Sequence, residues 1–275
     1  MPMRKIILAA AATAAVVGGL AAAALADPPF DPQDPKMAPY VKDAKRSGYT
    51  FAEPETRSMQ DDDFSNPGFL WVEKGEKLWS KAEGSAGKAC KDCHGKAETS
   101  MKGVGAAYPR FDPHENRLLP LDQKINQCRT ERMGAPAWKN ESDPLLAMLT
   151  YVQHQSRGMP IAVQVDGPAA PYFDMGRRLY YERRGLNDMA CKTCHEDLAG
   201  MPLRSVLLSQ GQVNGFPTYR LKWQGLGSLE RRIRGCFDEV RAEPYPWGAV
   251  ENTALQLYTV WRSSGLAVEA PSVRK

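Results

Sequence analysis

The sequence predicts a mainly α-helical protein made of two tandem copies of one domain behind an extended N-terminal arm. Three observations carry that expectation. The pentapeptide Cys90-Lys91-Asp92-Cys93-His94 returns as Cys191-Lys192-Thr193-Cys194-His195. The residues around it return as well, at a period of about a hundred, which marks a duplicated domain rather than a solenoid of roughly 20–50-residue repeats. The segments flanking each pentapeptide space their apolar residues helically, so little strand is expected.

In chain order, residues 1–26 read as a removed signal peptide. Arg4 and Lys5 precede an apolar run from Ile6 to about Leu20, and Ala24-Leu25-Ala26 is a small-x-small cleavage site before Asp27. This predicts an exported, periplasmic protein that keeps no membrane anchor. Residues 27–66 form the arm. Its prolines Pro28, Pro29, Pro32 and Pro35 and the acid run Asp61-Asp62-Asp63 argue against a regular core element, with at most a short helix near Tyr40–Arg46. The arm either wraps the body or docks a partner.

The first copy spans residues 67–157 and the second 172–275, joined by a Pro/Gly-containing linker over 158–171. Gly75 and Gly176 open matching segments, each fifteen residues before the first cysteine of its pentapeptide. Tyr108-Pro109-Arg110-Phe111 matches Phe216-Pro217-Thr218-Tyr219, and each lies twenty residues before a lone cysteine, Cys128 or Cys236. Leu121 and Ile125 correspond to Leu229 and Ile233, and the apolar run from Leu146 to Val152 to that from Leu255 to Trp261. Each copy therefore reads as helix, pentapeptide, long loop, cysteine-bearing helix, loop and final helix.

Two thiols separated by two residues and followed at once by histidine are what covalent c-type haem attachment requires. The cysteines reach the two porphyrin vinyl groups, and the adjacent imidazole then falls under the iron. A zinc site gives no reason for a histidine after each second cysteine. Two motifs predict two covalently bound haem c groups, held by Cys90, Cys93 and His94 and by Cys191, Cys194 and His195. Short helices around a haem resemble the small cytochrome c fold. With export, residues 1–26 take Arg4 and Lys5 from a chain whose formal net charge is only +4, so nothing argues for nucleic acid or a charged membrane surface.

The opposite axial ligand of each iron is open to His or Met in most carriers. Besides His94 and His195 the only histidines are His114 and His154, both in the first copy. Met101, Met133, Met148, Met159 and Met201 are available, Met133 most closely after Cys128. Cys128 and Cys236 occupy the same frame of the two copies, which favours both as thiolate ligands over one interdomain disulfide. Arg232 stands four residues before Cys236, on its face of a helix, and is a candidate anion holder. Arg231 and Arg234 read as a solvated face balanced by Asp238, Glu239 and Glu243.

With both motifs, both lone cysteines, and the run from Arg232-Ile233-Arg234-Gly235-Cys236 to Pro244-Tyr245-Pro246-Trp247-Gly248, the chain resembles the SoxA subunits of the SoxAX cytochromes of bacterial thiosulfate oxidation. The resemblance runs from about Tyr40 to the C-terminus. It implies an L-cysteine S-thiosulfotransferase that couples thiosulfate to a cysteine of a SoxYZ-type carrier and passes two electrons to c-type cytochrome. It also implies a SoxX-type partner, a Cys/His pair on each iron, a persulfide on Cys236 and substrate binding by Arg232. The rival expectation is a di-haem periplasmic electron-transfer cytochrome with no substrate of its own. A peroxidase is disfavoured because no spare histidine lies in the second copy.

Overall fold

The computed structural model describes residues 34–275; the expected signal peptide and the first residues of the arm lie outside them. The arm holds a hairpin of β1 (Val41–Lys42) and β2 (Lys45–Arg46) and a helix α1 (Pro54–Asp61). Then come α2 (Phe69–Trp79), α3 (Cys90–His94), α4 (Ala97–Ser100), β3 (Arg110–Asp112), β4 (Arg117–Leu119), α5 (Leu121–Arg132) and α6 (Asp143–His154). The second half carries α7 (Ala170–Tyr181), a π-helical turn at Thr193–Asp197, β5 (Pro202–Leu203), β6 (Val206–Leu207), β7 (Thr218–Arg220), β8 (Gly225–Gly227), α8 (Leu229–Glu239), α9 (Val250–Arg262) and β9 (Ser272–Arg274). Helices dominate and the strands are two or three residues long, as the apolar spacing led one to expect.

In each half the first helix crosses the last one at a glycine. A Cβ on Gly75 would lie 2.3 Å from the Ala147 carbonyl oxygen, and one on Gly176 would lie 2.0 Å from that of Ala254. Only hydrogen at these positions lets the backbones approach, and α6 and α9 are buried over most of their lengths. The pairing equates Ala147 with Ala254 and Tyr151 with Tyr258. That is two residues away from the register read from sequence, which matched Leu146 with Leu255. Apolar runs repeat on themselves, so a run alone does not fix which turn of a helix meets the glycine.

A second repeated device positions the functional residues. In the first half Ser85 N and Ala86 N donate to Gly134 O and Met133 O at 3.3 and 3.0 Å; in the second, Leu186 N and Asn187 N donate to Arg241 O and Val240 O at 3.3 and 3.3 Å. The approach again needs glycine, because Gly84 and Gly185 have φ of +72° and +70°, and a Cβ would stand 2.2 and 2.1 Å from the same carbonyls. The loop that enters each Cys-x-x-Cys-His motif is thereby clamped to the end of the cysteine-bearing helix.

The arm wraps the body, and it is more regular than its prolines suggest. Pro54 occupies the first turn of α1, where a missing N–H costs nothing. The short helix considered near Tyr40–Arg46 is instead the hairpin β1–β2, with Val41 opposite Arg46. Glu269, 6% exposed, ties the arm to the C-terminal segment. It accepts from Ser47 Oγ, from Gln60 Nε2 at 3.2 Å, from Asn214 Nδ2 at 2.9 Å and from Arg274 Nη2 at 2.8 Å. The segment expected as a linker is stitched down as well: Gly158 N donates to Val268 O and Ile161 N to Leu266 O, both at 2.9 Å.

The first turns of α5 and α8 face a common cavity where the halves meet. The cavity, of about 70 Å³, is lined by Leu121, Asp122, Leu149, Ser228, Leu229 and Gln256, so equivalent residues of both copies face it. Beside it Glu230 is 3% exposed and accepts from Gly248 N at 2.7 Å and Asn252 Nδ2 at 2.8 Å. Burial, with Asp122 adding repulsion, pushes its carboxyl up to about 7, while Arg234 opposes the rise. Burial also pushes Asp122 and Glu141 up.

The folded protein therefore holds a proton on Glu230 that the unfolded chain, titrating near 4.5, releases. Stability should fall by about 3 kcal/mol as pH rises from about 4.5 to about 7 and lose nothing further from this group above that range. Glu230→Gln should flatten that part of the profile. Denaturant titrations of the haem-loaded protein at several pH values measure it, and identical pH slopes for the two proteins would contradict it.

Candidate active site

The first motif forms α3, a single short turn. Asp92 closes its start by accepting from Ala89 N at 2.8 Å, and Gly95 ends it at φ +68°. Trp79 donates from Nε1 to Gly95 O at 2.9 Å, and its ring centroid lies 5.8 Å from that of His94. The second motif repeats the start with Thr193, whose Oγ1 accepts from Ala190 N at 3.1 Å. The three hydrogen bonds hold both motifs in register without using either imidazole or either thiol pair.

Cys128 on α5 stands close enough to Cys90 and Cys93 for their charges to interact, and Cys236 on α8 stands likewise to Cys191 and Cys194. All six thiols are free, so Cys128 and Cys236 are not joined; each faces the motif of its own half. Met101 packs against the same apolar cluster as Cys90. Met133 and Met148 are core side chains at 6% and 1% exposure, whereas Met201 is exposed. His154 lies edge-on to Phe69, with Nδ1 3.3 Å from Ala270 O. His114 clusters with Glu115 and Glu131 near the surface.

The second site is the more sharply built. His195 Nδ1 is 2.9 Å from Ser209 O, and this bond fixes the ring and leaves Nε2 available. Gly211, at φ +68°, lets the chain pass beneath the ring, where a Cβ would come within 2.7 Å of Cγ. A cavity of about 410 Å³ opens beside the ring, bounded by Tyr181, Gln210, Tyr258, Trp261 and Arg262. The Cys236 thiol stands close enough to the same imidazole for the two to interact. Burial pushes this thiol up, but Arg232, the His195 contact and Arg220 outweigh burial and bring it down to about 7. Cys191 goes the other way: burial, with the Cys236 charge adding to the rise, pushes it up to about 12. In the first site burial leaves Cys90 at about 11 and Cys128 also raised.

The donor set of each half fits a c-type haem. Two thiols stand at the attachment spacing, with an imidazole beside them and a further thiol on the facing helix. In the second half the imidazole already has its outer nitrogen engaged, as a ligating histidine requires.

The arginines sort themselves. Arg232 reaches both Cys194 and Cys236 electrostatically, as its position four residues before Cys236 suggested. Arg231 and Arg234 do not form the solvated face expected of them. Arg231 lies 4.2 Å over Trp223 and 3.8 Å from Glu141, and Arg234 donates to Tyr245 O beneath Trp247. In the first half Arg129, beside Cys128, is committed to Glu83 at 2.7 Å and to the Trp138 ring at 3.5 Å. Sequence reading missed Arg220, which acts on Cys236 from sixteen residues upstream. No spacing rule joins a strand end to a helix face across a turn.

Residues 74–161 match the model of the SoxA/TsdA cytochrome c domain. The L-cysteine S-thiosulfotransferase subunit SoxA of Pseudaminobacter salicylatoxidans is 45% identical over 83% of this chain and 80% of its own length. The SoxA subunit of Rhodovulum sulfidophilum is 44% identical over 84% and 81%. The crystal structure of SoxXA from P. pantotrophus superposes with a TM-score of 0.81 at 44% identity, covering 84% of this chain and 87% of that one. With a mainly helical fold, two Cys-x-x-Cys-His motifs and a thiol facing each of them, the chain belongs to the SoxA family of L-cysteine S-thiosulfotransferase subunits.

Proposed function

We propose that this chain couples thiosulfate oxidatively to a cysteine thiol of a SoxYZ-type carrier protein, and that Cys236 and Arg232 carry the reaction. The observation that carries the reading is the Cys236 thiol, facing the His195 imidazole and held near neutral pKa by Arg232. The family match supports the transferase over a plain electron carrier. Overall, a carrier thiol and thiosulfate lose two electrons and one proton and become joined through a new S–S bond, giving a cysteine S-thiosulfonate. The haems, when bound, take up those electrons.

The chain's own residues do the rest. Arg232 holds the sulfonate end of thiosulfate by charge-assisted hydrogen bonds, leaving its terminal sulfur toward Cys236. Ionised, Cys236 would help hold the second haem and would also be the residue that bears the persulfide. We assign two covalent haem c groups, one on Cys90, Cys93, His94 and Cys128 and one on Cys191, Cys194, His195 and Cys236, in domains spanning 67–157 and 172–275. A SoxX-type cytochrome is the partner that removes the electrons, a reading supported by the likeness to SoxXA from P. pantotrophus. The leader-like residues 1–26 support a periplasmic reaction, and among the described residues no helix is long and apolar enough to cross a membrane.

Low-temperature EPR of the oxidised protein should show thiolate-type low-spin signals from both irons; a His/Met signature would show that a methionine had displaced Cys128 or Cys236.

Cys128→Met should shift the first haem's spectrum and retain substantial activity, whereas Cys236→Met should keep a ligated haem and abolish thiosulfate-dependent cytochrome reduction with carrier protein. Arg232→Ala should weaken thiosulfate binding by about 1.5–3 kcal/mol. Wild-type turnover by Cys236→Met would return the protein to the electron-transfer class.

A further inference from the structure

The duplication allows the two sites to be compared charge by charge where a strand end faces the cysteine helix. In the first half the third residue after cis-Pro109 is Asp112, at the end of β3. Its carboxylate accepts from Lys124 Nζ at 2.6 Å, and Lys124 stands four residues before Cys128. The hydrogen bond from Lys124 holds Asp112 down at about 2, so the pair stays ionised and the cation in front of Cys128 is already neutralised.

In the second half the third residue after cis-Pro217 is Arg220, at the end of β7, and the residue four before Cys236 is Arg232. A carboxylate–ammonium pair has become two guanidinium groups. Arg220 is half-buried and well anchored. Its Nε and Nη2 hold the backbone oxygen of Lys275 at 3.0 and 2.6 Å, its guanidinium lies 5.0 Å over Trp223, and Arg274 is its partner across the β7–β9 pairing. Two of its donors are committed, and Nη1 is not. Burial, followed by repulsion from Arg232, brings Arg220 down to about 10. Glu239 is an acid that acts on it, and that carboxylate also pairs with Arg204 at 3.4 Å. The two positions that act on Cys236 are thus both cations, where their counterparts beside Cys128 form an ion pair.

We propose that Arg220 is a second anion-holding residue of the Cys236 site, acting with Arg232 on a doubly charged sulfur oxyanion, and that the exchange of Asp112 for Arg220 between the copies reserves substrate binding for the second. The inference rests on the thiosulfate reading given above and deepens it. One guanidinium fork satisfies two oxygens of a sulfonate, which leaves a third oxygen and a second charge for another cation. Placing two cations on a partly buried anion strengthens the hold because the surroundings screen less than water does. In the first copy the same anion would have to displace Asp112 from Lys124.

The test uses the haem-loaded complex with Arg220→Gln, Arg220→Lys and, as a remote loss of charge, Arg183→Gln. Calorimetric binding of thiosulfate is measured beside steady-state turnover with carrier protein. Arg220→Gln should raise both Kd and KM for thiosulfate by roughly ten- to a hundredfold with a smaller change in kcat, Arg220→Lys should recover part of the loss, and Arg183→Gln should match wild type. The salt dependence of binding should also become shallower in Arg220→Gln. Unchanged Kd and KM in Arg220→Gln, with wild-type turnover intact, would overturn the inference and leave Arg220 as a clamp on the C-terminal strand. Arg220-dependent thiosulfate binding without turnover in wild type would uphold it and sink the transferase reading instead.

Discussion

Two backbone hydrogen bonds in each half hold the loop before the Cys-x-x-Cys-His motif against the end of a helix that carries one more cysteine. Everything at the two sites depends on that clamp. It needs a glycine at a left-handed φ, since any Cβ would run into the carbonyl it approaches. It sets the distance between a motif on one segment and a thiol some forty residues later, which no contact within either segment could set. The crossing glycines, Gly75 and Gly176, do the corresponding work for the helical frame on which the clamp rests.

Given that shared frame, the halves differ by their charges. Around Cys236, Arg232 and Arg220 lie close, and the thiol falls to about 7 despite burial. Around Cys128, Lys124 is paired with Asp112 and Arg129 with Glu83, and the thiol is raised. The same backbone thus carries one thiol biased toward ionisation and another that burial keeps protonated until something binds it. Duplication supplied two equal positions, and substitution at a few side chains made them unequal.

The motifs, the duplication, the mainly helical class and the placement of Cys128 and Cys236 in equivalent frames were all legible in the sequence, because fixed spacing is a local property. The two-residue error in matching Leu146 with Leu255 arose because apolar periodicity repeats and the deciding contact is a glycine in another helix. Helix α1 was hidden by prolines that mark a helix start as readily as they forbid its interior. Arg231 and Arg234 were misjudged because their aromatic and carbonyl partners come from other segments. Arg220 and the repulsion of Glu230 by Asp122 are long-range in the same way: each is an ordinary polar residue until the chain brings its neighbour to it.

The central proposal is that Cys236, and not Cys128, is the sulfur that takes part in the reaction. Peptide mass spectrometry after turnover with thiosulfate and carrier protein tests it directly. A fraction of the peptide containing Cys236 should be heavier by one sulfur atom, about 32 Da, while the peptide containing Cys128 stays unmodified. Equal modification of both, or modification of Cys128 alone, would contradict it.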